Sequence, residues 1–233
     1  MIYEVRLYTI VPGRLDVALE RFEHHLPALF ADHGINNVGR WIVTAGPSGP
    51  MFVYMMAYAT LADRETQWAL FYSDPRWPQI RLQTQGDEEA TERFEIFFMA
   101  SNPVWPGMAA REEEPLAGVF DLVLSESALG RGGAVNAFLA DSYLPAVQRA
   151  GGSLFLVADL LTGASLPRVA LMLHWSDAAA RREGWLRIQK DDVLNGAIAA
   201  ARRSFGRALL GRSDIYVLEP TAFALPTLNH GQT

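Results

Sequence analysis

The chain contains no cysteine, which excludes disulfides and thiolate chemistry and makes a reducing, cytoplasmic setting the natural expectation. It also lacks any continuous apolar run near the roughly 20 residues that span a bilayer, so no membrane segment is expected. Glu4 and Arg6 interrupt the apolar character of the first residues, so no secretory leader is expected either. There is no excess of positive charge. With 20 Lys+Arg against 26 Asp+Glu and a net charge of −6, the chain has no basic stripe to grip a phosphate backbone, and nucleic acid is not an expected partner. P-loop, dinucleotide and nucleophile-elbow signatures are all missing. The histidines are His24, His25, His33, His174 and His230, and they show no HExxH or similar spacing. No metal or cofactor is therefore expected. What is present is apolar bulk: 233 residues, 50% of them hydrophobic, suffice for one large core or two small ones.

Residues 2–10 alternate as a strand. Pro12-Gly13 turns the chain, and Leu15, Ala18, Leu19, Phe22, Leu26, Leu29 and Phe30 then recur at helical spacing up to Gly34. Strands follow at 37–45 and 51–59, joined by "GPSGP", then a helix from Leu61 that "DPRW" breaks at 74–77 to start a shorter one. A fourth strand covers 93–100. The order is β-α-β-β-α-β. Beyond a Pro-rich, charged linker the order repeats: strand 118–125, helix 133–149, strands at 153–161 and 168–175, a long helical region 177–210 and strand 213–220.

The halves resemble copies. "LPALF" at 26–30 matches "LPAVQ" at 144–148, and "DRE" at 63–65 matches "RRE" at 181–183, both at an offset of 118. A proline inside a helix removes a hydrogen bond and kinks it, so its recurrence is informative. The expected organisation is a first unit over 1–102, a linker over 103–117, a second unit over 118–220 and a tail over 221–233. The expected fold class is α+β, with two tandem ferredoxin-like (β-α-β-β-α-β) units packed sheet to sheet as an α+β barrel. On that arrangement Val5 and Leu7 meet the helices, and Glu4, Arg6 and Tyr8 line the space between the sheets.

The first hundred residues resemble the NIPSNAP family, a branch of the dimeric α+β barrel superfamily. The resemblance rests on Glu4, Arg6, Tyr8, Thr9, Pro12 and Gly13, then on Leu26-Pro27, Gly39, Trp41 and Gly46-Pro47. It continues through Ala57, Tyr58 and Leu61–Glu65 to Asp74, Pro75 and Trp77. It implies a family largely of unassigned activity, within a superfamily that includes cofactor-free oxygenases, isomerases and haem-binding enzymes. Where the family often places a histidine on the third strand, this chain has Tyr54. In the second half, Asp121, Val123 and Ser125 stand opposite Glu4, Arg6 and Tyr8, so an unequal pair is expected, with the site in the first copy.

Two readings of the polar strand compete. In one, Glu4 and Arg6 are an internal ion pair in a filled, non-catalytic interaction protein. In the other, Arg6 anchors a carbonyl or anionic oxygen, Glu4 orients it or acts as base, and Tyr8 donates a hydrogen bond, in cofactor-free proton transfer or oxygenation. The candidate ligand-binding residues are Trp41, Tyr54, Tyr58 and His174, and the expected partner is a small, partly apolar molecule. A homodimer is compatible with, but not required by, a repeat that can cover its own sheet face.

Overall fold

A computed structural model of the chain describes residues 1–86, 88–105 and 117–221. Most of the expected linker over 103–117, and all but the first residue of the expected tail over 221–233, lie outside them. Every described strand pairing is antiparallel and the architecture is mixed α+β. The chain divides into two units. Met1–Phe98 is the main body of the first and Ala117–Glu219 that of the second; Met99 and the residues just after it already belong to the second. No helix among the described residues is long and apolar enough to cross a membrane.

In the first unit β1 (Ile2–Ile10) and β2 (Asn36–Ala45) both pair with β3 (Met51–Tyr58), so that Tyr54 stands between Arg6 and Arg40. Between β1 and β2 the chain is helical as α1 (Leu15–Glu20), a wider π segment (Arg21–His25) and α2 (Leu26–Asp32). Pro27, in the first turn of α2, has no N–H to offer the preceding turn, and the helix accommodates it by widening. Helix α3 (Leu61–Ser73) begins at a capping box in which Thr60 and Asp63 bond each other's backbone N–H. Helix α4 (Arg76–Gln85) starts where Asp74 accepts from the Arg76 N–H at 2.8 Å. Strand β4 (Thr91–Ser101) follows.

Strand β3 is buried at all eight positions. Its residues Phe52, Tyr54, Met56 and Tyr58 pack with Phe22, Leu26, Phe30, Trp68 and Phe71 of the helices. This settles which face of β1 meets the helices, and it is the reverse of the expectation. Glu4 is reached by Arg64 of α3 at 2.8 Å, and Arg6 lies 3.8 Å from the Trp68 ring, so Glu4, Arg6 and Tyr8 belong to the helix side. Val5 and Leu7 take the other face. Alternation identifies the residues that share a face but not what covers it, and with both faces buried there is no polar-outward signal to orient the strand.

In the second unit β5 (Val119–Ser127) lies between β7 (Arg168–Trp175) and β8 (Leu210–Pro220), with β6 (Ser153–Leu160) beyond β7. The last residues of β4, Met99–Ser101, pair with Leu160, Asp159 and Ala158 of β6. The helix after β5 again has three parts: α5 (Gly132–Phe138), a π segment (Leu139–Tyr143) and α6 (Leu144–Arg149), with Pro145 where Pro27 stands in the first unit. The stretch expected as one helix over 177–210 is two, α7 (Ala178–Gln189) and α8 (Asp192–Phe205). Asp191 divides them by accepting from the Leu194 N–H at 2.8 Å, a cap that continuous helical periodicity conceals.

Candidate functional site in the first unit

The site is built outward from a fully buried carboxylate. Glu4 Oε1 accepts from Arg6 Nε at 2.6 Å and from Arg64 Nη2 at 3.2 Å, while Oε2 accepts from Arg64 Nε at 2.8 Å. Both oxygens are engaged and Glu4 does not line the cavity described below, so in this geometry it braces Arg6 and presents no free oxygen to the cavity. Two guanidiniums share one carboxylate, which leaves the trio with a net positive charge.

Arg6 is stacked over Trp68, whose indole N–H donates to the Tyr58 hydroxyl at 2.7 Å. Tyr58 thus fixes the stacking surface. Arg6 Nη1 reaches the Tyr54 hydroxyl at 3.4 Å, and Tyr54 donates to the Tyr8 hydroxyl at 2.9 Å. Because the half-buried Tyr8 oxygen is an acceptor here, its own O–H remains to donate to a ligand. Burial pushes Tyr54 well above the ordinary phenol range, with Tyr8 adding to the effect and Arg6 opposing it, so at neutral pH Tyr54 is a neutral donor. Burial disfavours charge on Arg6, yet its pKa is raised above the ordinary guanidinium value, and at neutral pH the Glu4 carboxylate beside it favours the cation.

A second cation arrives from the π segment. Arg21, 9% exposed, donates from Nε to Thr84 Oγ1 and from Nη2 to Gln85 Oε1, both at 2.9 Å. Its hydrogen-bond partners among the described residues are neutral oxygens. Burial, and Arg81 nearby, push its pKa down. Glu89 offsets part of this, but no carboxylate among the described residues hydrogen-bonds the guanidinium, and a buried cation so placed favours an anion beside it.

Arg6, Arg21, Tyr8 and Tyr54 line one cavity of about 40 Å³, whose apolar wall includes Phe22, Phe71 and Trp77. Tyr72, 55% exposed, stands on its open side. The cavity volume is a few times the roughly 10–15 Å³ that holds one water, room for a polar headgroup such as a carboxylate or carbonyl. The lining holds two cations and three phenols but neither carboxylate nor histidine.

The structure therefore gathers Glu4, Arg6, Tyr8, Tyr54 and Tyr58, five of the residues expected from sequence. Trp41 is on the opposite face of the sheet, beside Val53 in register, with its ring against Gly39. His174 belongs to β7 in the second unit, with Nε2 2.7 Å from the Ala117 carbonyl and Nδ1 3.2 Å from Ser153 Oγ. Neither joins the site. Arg21 and Arg64 were not among the expected site residues. Arg64 does carry a signal, lying inside the repeated "DRE", whereas Arg21 reads as an ordinary polar position on a helix.

Comparison with known proteins adds the following. The NIPSNAP family model matches residues 3–106. A NIPSNAP family protein of unknown function from Agrobacterium tumefaciens is 28% identical, covering 42% of this chain and 86% of its own, with a TM-score of 0.38. A candidate monooxygenase from Lactobacillus acidophilus is 9% identical over 97% of this chain and 98% of its own, with a TM-score of 0.57. An anthrone oxidase-like protein is 11% identical over 94% and 91%, with a TM-score of 0.54. The last two share the fold across nearly the whole chain, and at such identities the fold is all they show. No curated protein matches.

Proposed function

Residues 3–106 being a NIPSNAP domain, we propose that this domain binds a small, partly apolar molecule through a carbonyl or anionic oxygen received by Arg6, Arg21 and Tyr8. The observation that carries the reading is a cavity lined by two buried arginines and no carboxylate. Fixed donors of this kind favour the enolate of a bound carbonyl compound, which is the charge that develops in cofactor-free proton transfer and oxygenation. The names of the two proteins that share the fold, a candidate monooxygenase and an anthrone oxidase-like protein, agree with such chemistry. Because Glu4 is held by two arginines, the proton of a carbon acid would leave to solvent or to a second carboxylate on the ligand.

We further infer that both units descend from one ferredoxin-like unit. Supporting this, the π segments begin at Arg21 and Leu139 and the helical prolines stand at 27 and 145, each pair 118 residues apart. A non-catalytic interaction protein is the second reading, favoured by the small size of the cavity.

Thermal shift against acetate, pyruvate, acetoacetate and benzoate, with the matching amides as controls, tests the proposal. An anion at 100 times its Kd stabilises the native state by about 2.7 kcal/mol. The expected result is a rise with at least one acid, absent with its amide and lost in both Arg6→Met and Arg21→Met. Stabilisation by none of the acids, or one that survives Arg6→Met, would overturn it.

A further inference from the structure

The second unit contains a larger cleft with a polar corner of its own. About 580 Å³ opens between the turn after β5, the end of β6 and the start of β7, a size typical of small-molecule sites. Its walls include Val135, Leu160 and Val169, and at its rim Leu129 and Leu166 are 76% and 46% exposed, apolar surface that a bound molecule would cover.

The corner is assembled by Asn102, which is 1% exposed. Its backbone N–H donates to the Val157 carbonyl at 3.0 Å, and its side-chain oxygen accepts from the Val104 N–H at 3.0 Å. So fixed, its Nδ2 donates to Asp159 Oδ1 at 2.8 Å and to Asn136 Oδ1 at 3.1 Å. A carboxylate on β6 and an amide oxygen on α5 are thereby held side by side in the cleft wall. Asp159 has no cationic hydrogen-bond partner among the described residues. The cleft's one lining cation, Arg168, is ion-paired away from Asp159: its Nη2 donates to the Leu124 carbonyl and to Asp214 at 2.6 Å, and its buried Nε meets no acceptor among the described residues. Asp159 is thus a carboxylate in the cleft wall that no guanidinium bonds, beside a spare acceptor and an apolar floor.

We propose that this cleft binds a small primary ammonium compound with an alkyl or aryl body, its N–H groups shared between the Asp159 carboxylate and the Asn136 carbonyl oxygen. An ammonium brings three donors and the missing charge, whereas a carboxylate ligand would meet Asp159 as a like charge.

Calorimetric titration of the full chain with n-hexylammonium, 1-hexanol and hexanoate tests the assignment. The amine is expected to bind saturably and at least tenfold more tightly than the alcohol. Asp159→Asn should weaken the amine at least tenfold and leave the alcohol unchanged, a difference that a purely structural role would not produce. Hexanoate, if drawn to Arg6, should not respond to Asp159→Asn. No saturable amine binding, or amine binding unchanged in Asp159→Asn, would each overturn the proposal.

Discussion

Exchanging Glu4 and Arg6 one at a time separates architecture from function. Glu4 is 0% exposed and takes three N–H bonds from two guanidiniums whose side chains are 3% and 24% exposed. Glu4→Gln leaves Arg6 buried without an acid and turns amide hydrogens towards Arg64. Removing one partner of a buried ion pair is worth about 3–5 kcal/mol. Arg6→Met is different in kind. It keeps both Arg64 bonds to Glu4 and replaces a charge that is unfavourable to bury by an apolar chain of similar length. The charged hydrogen bond lost is worth about 1.5–3 kcal/mol, and the relieved desolvation offsets part of it, so the net loss should be about 1–2 kcal/mol. For a chain of this size each kcal/mol moves Tm by roughly 2–4 °C, which puts Arg6→Met down by about 3–6 °C and Glu4→Gln by about 10 °C or more. Urea unfolding followed by tryptophan fluorescence measures both. Equal losses for the two variants would mean that Arg6 is a structural half of the pair and would remove the reason to regard it as a ligand anchor.

The alkaline limb of stability should be set by buried phenols. Burial raises Tyr54 and Tyr58 above the usual range, and with Asp121 nearby pushes Tyr143 up to about 12. The unfolded chain releases these protons near pH 10 and the native state retains them, so their contribution is complete below about pH 10 and declines as pH rises towards the native values. Urea midpoints from pH 9 to 12 should fall steeply in the parent and less steeply in Tyr54→Phe; identical slopes would contradict the burial argument. Packing against Trp41 can be checked separately with Gly39→Ala, whose Cβ would stand 2.1 Å from the Trp41 ring. Overpacking of a filled core is worth about 1–3 kcal/mol, so a clear fall in Tm is expected, and an unchanged Tm would show that the ring is free to move.

The element order, the hairpin at 46–50 and five residues that the structure gathers at the candidate site were legible in the sequence, because period and punctuation are local properties. What escaped depended on tertiary covering. The face of β1 that meets the helices is set by Arg64 and Trp68, sixty residues away, and no strand alternation encodes it. Arg21 enters the cavity through a π segment that widens ahead of Pro27; the proline was visible, but the turn it enlarges and the side chain thereby presented were not. The matched segments that suggest a repeat were visible too, at an offset slightly wrong for their most useful member. The arginine that does the work of Arg64 is Arg181, 117 residues on and not the 118 of the "DRE" match, because α5 is one residue longer than α1 and α6 one residue shorter than α2, so only the π segments and the prolines stand 118 apart.

That corrected register makes the second unit a natural control for the first. Asp121 stands 117 residues after Glu4 and is likewise fully buried. It accepts from Arg181 Nε at 2.7 Å, from Trp185 Nε1 at 2.7 Å and from Trp175 Nε1 at 2.9 Å. A first-strand carboxylate clamped by a helix arginine and accompanied by tryptophan is therefore common to both halves, and the fold alone accounts for it. The residues lining the first unit's cavity do not recur. At the Arg6–Tyr54 pairing the second unit has Val123 opposite Leu171, at the Tyr8 position Ser125, and at the start of its π segment Leu139 in place of Arg21. If the arginines and phenols were needed to hold such a unit together, the second one would need substitutes, yet it is well packed with valine and leucine there. The proposed anion site accounts for two buried guanidiniums and a phenol pair that the second unit does without, and Arg6→Val, which carries the second unit's solution into the first, should remove anion-induced stabilisation while the Glu4–Arg64 clamp persists.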